Sequence, residues 1–109
     1  MEIKKFPDGT NLTVALIGRL DAVTALELDK NLSASLDGVI DLTVDLAEIE
    51  YVSSAGLRIL LKLQKRMDRQ GAMRLRNLRE NVREVFDMTG FADFLTIDED
   101  RKTKFSVSF

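Results

Sequence analysis

Cysteine, histidine and tryptophan are absent from this 109-residue chain, and proline and tyrosine occur once each. Without cysteine there are no disulfides, no thiolate nucleophile and no thiolate metal site. Without histidine the commonest metal ligand and the usual general base are missing. No Gly-rich phosphate loop compensates for them, so no catalytic constellation is evident and the expectation is a non-enzyme with no cofactor and no metal. No apolar run is long enough to cross a bilayer. Met1-Glu2-Ile3-Lys4-Lys5 leads into no apolar stretch, so no signal peptide and no membrane insertion are expected, and a cytoplasmic location is the default. No aromatic series is interleaved with the basic residues, which argues against stacking on nucleic-acid bases.

What is present suits one domain spanning residues 1–109, large enough to bury a core without staples. The net charge of −2 hides an asymmetry. Residues 1–50 carry four basic and ten acidic side chains, residues 51–85 nine basic and three acidic, and residues 86–109 three basic and five acidic. The basic middle reads as the solvated face of a helix rather than a nucleic-acid surface.

Ile3 to Phe6 and Leu12 to Ile17 read as strands joined through the turn residues Pro7-Asp8-Gly9. Thr24, with Glu27 three residues on, predicts a capping box. Ala25, Leu28, Leu32 and Leu36 predict a helix behind it, stopped by Gly38. Val39 to Leu46 contains an apolar strand suited to a central position. A second helix runs from Ser54 or Ala55 to about Gln70. Leu57, Leu60, Leu61, Leu63 and Met67 face inward, Arg58, Lys62, Lys65, Arg66 and Arg69 face water, and Gly71 is the stop. Met73 to Leu75 is a short strand, Glu80 to about Thr89 a third helix ended by Gly90, and Leu95 to Ile97 a last core strand. Met67, Met73 and Met88 read as core filler. Asp98 to Lys104 forms a charged loop. Phe105, Val107 and Phe109 alternate with serine, a strand period that fits an added edge strand or packing under a helix. Alternating strands and helices predict an α/β domain with a mixed, mostly parallel sheet.

The stretch Val52-Ser53-Ser54-Ala55-Gly56-Leu57 joins a strand to a helix. A serine there can cap the helix by accepting from free N–H groups. The same place suits a phosphate, since helix N-termini offer those donors and a positive dipole end. On residues alone Ser54 is either a cap or a phosphorylatable hydroxyl. Gly56 in the first turn costs up to ~1 kcal/mol relative to alanine, which points to close approach of another backbone, either in this fold or from a partner.

Three segments together resemble one family. Gly18-Arg19-Leu20-Asp21 with Thr24-Ala25 resembles the Gly-x-Leu-Asp segment of STAS domains. Asp45-Leu46 followed by Tyr51 to Leu57 resembles the phosphorylation loop of the bacterial anti-sigma factor antagonists within that family, and Val85 to Phe91 resembles the end of its third helix. The resemblance implies helices mainly on one face of the sheet; a doubly wound sheet is the alternative. It implies phosphorylation of Ser54, with Ser53 the second candidate, by an anti-sigma factor that is also a serine kinase, and reversal by a cognate phosphatase. An Asp commonly stands where this chain has Ser53. The implied partner-binding residues are Asp21, Ser53, Ser54, Ala55, Gly56, Arg58 and Lys62. The alternative function is a constitutive STAS scaffold or transporter-associated module with no phosphate cycle. Asp21 and Asp45 would be the pair for acid–base work. Both sit at predicted strand exits, where Asp is a common turn and cap residue; the resemblance places the Asp21 position near the phosphorylation loop, which implies kinase recognition or loop ordering.

Overall fold

A computed structural model describes residues 1–98. Strands β1 (Glu2–Asp8) and β2 (Asn11–Leu20) precede helix α1 (Ala22–Ser33). Strand β3 (Asp41–Val52), helix α2 (Ser54–Gln70), strand β4 (Ala72–Arg76) and helix α3 (Glu80–Thr89) follow. A 3₁₀ turn at Phe91–Phe94 then leads to β5 (Ile97–Asp98). The sheet runs β1-β2-β3-β4-β5; β1 pairs antiparallel with β2, and the other neighbours are parallel. Mixed and mostly parallel is the expected arrangement. The tail readings beyond Asp98 lie outside the described residues.

Period-two burial puts the helices on one face. Leu12, Val14 and Leu16 of β2, Leu42, Val44 and Leu46 of β3, and Met73 and Leu75 of β4 are buried under them. The alternate residues Thr13, Ala15, Ile17, Thr43, Asp45 and Arg74 line the other face and are only half-buried. Had helices covered both faces, these strands would read as continuous apolar runs. Ala25, Leu28 and Leu32 of α1, Leu57, Leu60, Leu63 and Met67 of α2, and Val82 and Phe86 of α3 complete one hydrophobic core.

Four local expectations are corrected. The cap of α1 is Asp21, not Thr24, and the box closes between Asp21 and Thr24. Glu27 has no part in it; an Asp that leaves the strand in extended conformation reaches the free N–H groups first. The helix ends at Ser33, with Ala34 as its C-cap, while Leu36 still enters the core and Gly38 turns the chain at φ +84°. Met88 is 84% exposed rather than core filler, whereas Met67 and Met73 are buried. Pro7 lies inside the edge strand β1, paired with Leu12, and the turn itself is Gly9-Thr10 between Asp8 and Asn11.

Strand β3 reaches Val52, well past Leu46. Two register shifts place extra β3 residues opposite β2, after Ala15 and after Gly18, and these bulges break the alternation in the sequence. Among the described residues its far half has no strand neighbour on the β4 side, because β4 pairs only with residues 41–45. Side chains serve there instead. Arg79 Nε donates to the Ala47 carbonyl at 2.9 Å, and Asn81 Nδ2 to that of Glu50 at 3.0 Å. Asp45 Oδ1 accepts from Ala47 N at 2.9 Å and from Asn77 Nδ2 at 3.2 Å.

Candidate switch and partner-binding site

Leu20 pairs with Val52 at the ends of two parallel strands, so α1 and α2 start side by side. Ser53 N donates to the Leu20 carbonyl at 2.9 Å, which fixes one start against the other. Gly56 completes the lock. A Cβ there would lie 2.7 Å from Leu20 Cγ and 2.8 Å from the Leu20 carbonyl oxygen. The expected close backbone approach at Gly56 is therefore internal.

At the α1 start, Asp21 Oδ1 accepts from Val23 N at 3.1 Å and Thr24 N at 3.0 Å, and Asp21 N donates to Thr24 Oγ1 at 2.9 Å. The Thr24 hydroxyl proton is within reach of the Arg19 carbonyl at 2.7 Å and of Asp21 Oδ1 at 3.2 Å. The Thr24 N–H foremost, with further hydrogen bonds from the Thr24 hydroxyl and Val23 N–H, holds the Asp21 carboxyl below its ordinary range, against a smaller opposing effect of desolvation. A carboxylate so committed is a cap, not a general base. Asp45 sits opposite Ala15, five residues before Leu20, or about 17 Å away along the strand. The two carboxylates do not meet.

At the α2 start, the cap is Ser53 rather than Ser54. Ser53 is extended, and its Oγ accepts from Gly56 N at 3.2 Å. Ser54 is the first helical residue and is exposed. Among the described residues its hydroxyl has no hydrogen-bond partner. Spacing alone leaves the two serines indistinguishable; the backbone separates them, since only the extended residue before the helix turns its hydroxyl back over the first turn. Ala55 is half-buried against the core. Arg58 is exposed one turn beyond Ser54.

Lys62 is differently placed. Its Nζ lies 2.8 Å from Asp29 Oδ2 of α1, and that hydrogen bond foremost holds the Asp29 carboxyl below its usual range. Arg66 likewise donates to the Ser33 carbonyl and to Asp37 Oδ1, both at 3.0 Å. Gln64, the one buried polar side chain among the described residues, ties α2 to the residue just before β5 by accepting from Thr96 N at 3.1 Å.

The structure adds residues that sequence reasoning passed over. Val23 and Leu26 are 68% and 63% exposed on the first turns of α1. Val23 lies two residues past the Asp21 cap, and Leu26 lies one turn before Asp29, whose carboxylate meets Lys62 of α2. Both sit in an amphipathic helix whose core positions were assigned by spacing; their exposure gives the only signal, and it needs the fold. Tyr51 stands at the rim, its ring 4.5 Å from the Arg19 guanidinium.

A one-faced mixed sheet with two helix starts locked together at parallel strand ends defines the STAS class. The STAS domain family model matches residues 3–103, and the chain belongs to that family. Among its relatives is BtrV of Bordetella bronchiseptica, whose name places it with the anti-sigma factor antagonists. It is 34% identical over 93 residues, covering 84% of this chain and 80% of that one. The anti-sigma-B factor antagonist of Bacillus subtilis is 30% identical over 88 residues, covering 80% and 81%. In fold, the chain is similar to the anti-sigma factor antagonist SpoIIAA in its unphosphorylated form, at a TM-score of 0.75 and 16% identity over 97% of this chain and 96% of that one. The phosphorylated form of SpoIIAA from Bacillus gives a TM-score of 0.69 at 15% identity over 97% and 99%. No helix among the described residues is long and apolar enough to cross a membrane.

Proposed function

We propose that this chain is an anti-sigma factor antagonist switched by phosphorylation of Ser54. Unphosphorylated, it binds and sequesters an anti-sigma factor that is also its serine kinase. A phosphate on Ser54 releases that partner, and a cognate phosphatase resets the cycle. Such a regulator binds rather than catalyses, and it works in the cytoplasm beside its sigma factor. The partner-binding surface comprises Asp21, Ser53, Ser54, Ala55 and Arg58, extended by Val23 and Leu26, with Gly56 buried beneath it against Leu20. Lys62 supports it through α1.

One observation carries the choice of serine. The Ser53 hydroxyl is occupied by the Gly56 N–H, while the Ser54 hydroxyl is exposed and unengaged among the described residues. A kinase gains access to Ser54 without dismantling the helix cap.

Phosphorylation adds about −1.5 to −2 charges at neutral pH. At the first helical residue that charge is favourable by roughly 0.3–1 kcal/mol, so the fold stays intact. Against a partner surface shaped for a neutral serine, a buried unpaired charge costs roughly 2–5 kcal/mol, which is about thirty-fold to several-thousand-fold in affinity. The switch therefore acts by local repulsion and desolvation.

Mass spectrometry after incubation with the purified anti-sigma factor kinase and ATP tests the reading. Phosphate on Ser54, present in wild type and Ser53→Ala and missing in Ser54→Ala, is expected. Label on Ser53 instead would overturn the assignment, and a chain that binds its partner but never acquires phosphate would be a constitutive binding module.

A further inference from the structure

The five cations of α2 divide into two sets. Lys62 and Arg66 turn toward α1 and are held there by Asp29, Asp37 and the Ser33 carbonyl. Arg58, Lys65 and Arg69 are all exposed, and among the described residues none has an ion-pair partner. Asp68, the single carboxylate of the helix, accepts from Gln64 Nε2 at 3.0 Å. Positions 58, 65 and 69 recur at near-helical spacing and form one flank. They span eleven residues, or about 16 Å of axis. The flank runs beside a shallow groove of about 460 Å³ that Leu61 floors and all five cations rim.

We propose that this flank is a docking stripe for an acidic helix face on the anti-sigma partner, continuous with the Ser54 end of the interface. The proposal rests on the functional reading above and adds to it a second contact zone, two to three turns from the phosphorylation site. Three desolvatable cations held on a rigid helix, with no carboxylate among the described residues to satisfy them, complement a row of Glu or Asp at matching spacing. Continuity fixes the occupant: Arg58 is one turn from Ser54, so whatever covers Ser54 reaches the top of the stripe. Duplex DNA fits less well, because the stripe is one side chain wide, carries no aromatic residue and belongs to a chain of net charge −2. A membrane surface fits less well too, since among the described residues the one apolar side chain along it, Leu61, is only half-exposed.

The experiment measures association of the full chain with the purified anti-sigma factor across ionic strength. Compared with wild type are the triple variant Arg58→Glu/Lys65→Glu/Arg69→Glu, its all-Gln counterpart, and the double variant Lys62→Gln/Arg66→Gln. The triple Glu variant should associate about tenfold more slowly, or worse, at low salt, as loss of electrostatic steering dictates. The all-Gln variant should fall between it and wild type. The gap should close near about 1 M salt, where the screening length is about 3 Å. The double variant should lose thermal stability and slow association less than the triple Glu variant does, because its two cations are already paired within the chain. Equal association of wild type and triple Glu variant, with all of them folded, would overturn the stripe and leave the functional reading standing. If wild type does not bind the anti-sigma factor, that reading fails on its own. The stripe is then judged with a synthetic Glu-rich helical peptide by amide chemical shifts. Shifts confined to the Arg58 to Arg69 flank support it, and shifts elsewhere or none sink it. Tighter binding of a DNA duplex or of phosphatidylglycerol vesicles than of the peptide would also overturn it.

Discussion

The starts of α1 and α2 lie side by side, follow neighbouring parallel strands, and meet the same physical demand in opposite ways. Asp21 takes two backbone N–H groups, and its own N–H bonds to Thr24. Ser53 takes one, and leaves Ser54 outside the cap. The first start is saturated and charged; the second is neutral and holds a hydroxyl in reserve. A helix end can thus be made permanent or modifiable by moving the capping duty one residue, and the Leu20–Gly56 contact lets the permanent end brace the modifiable one.

The largest way to break the comparison is to place charge at the spare hydroxyl. Ser54→Asp should melt near wild type yet bind the anti-sigma factor more weakly by roughly 2–5 kcal/mol, whereas Ser54→Ala should bind normally; titration calorimetry with scanning calorimetry reads both. Equal binding of the two variants would sink the switch. Next is the brace. Gly56→Ala forces a Cβ against Leu20 Cγ and its carbonyl oxygen, and overpacking of about 1–3 kcal/mol should exceed the helix-propensity gain of up to ~1 kcal/mol. Chemical denaturation would show a lower midpoint; a higher one would mean that the two starts can part freely.

Removing the caps gives smaller effects. Asp21→Ala should lower the melting temperature more than Ser53→Ala does, because it frees two N–H groups instead of one. Ser53→Ala should cost about 1 kcal/mol, at the usual scale for a serine cap. That is about 4 °C in a domain of this size. Smallest is a pH effect confined to the α1 side. Asp21 and Asp29 titrate below the ordinary aspartate value in the folded chain. Their stabilisation is therefore present above that value and is lost as pH falls through the lower folded values. Thermal melts should worsen in that acid range, and Asp21→Asn should flatten part of the slope; an unchanged slope would show that the Asp21 cap does not depend on charge.

Periodicity made most of the sheet and all of α2 and α3 legible. Gly71 and Gly90 stop those helices as their positions indicated. Legibility failed wherever a residue's role depends on a neighbour distant in sequence. Lys62 looked like a free surface cation beside Arg58, but its carboxylate is on α1, thirty-three residues earlier. The far half of β3 was hidden because bulges interrupt its alternation between Leu46 and Val52. Spacing could not say which of Ser53 and Ser54 caps the helix, because that is decided by where the backbone turns from extended to helical. The kind of site was visible in Ser53 to Gly56; the division of labour inside it was not.

Arg79 and Asn81 spend their side chains on main-chain carbonyls of β3, at Ala47 and Glu50. An exposed row of backbone acceptors is an invitation to a foreign strand, and recruitment by strand addition is a common route both to partner binding and to aggregation. Here the invitation is withdrawn beside the very end of the sheet where the two helices begin. At the opposite margin, Lys4, Lys5 and Pro7 make β1 an equally poor template. Under the proposed function, a chain that binds, releases and binds again is protected in this way from sticking by its backbone, and recognition passes through side chains, which a single phosphate can veto.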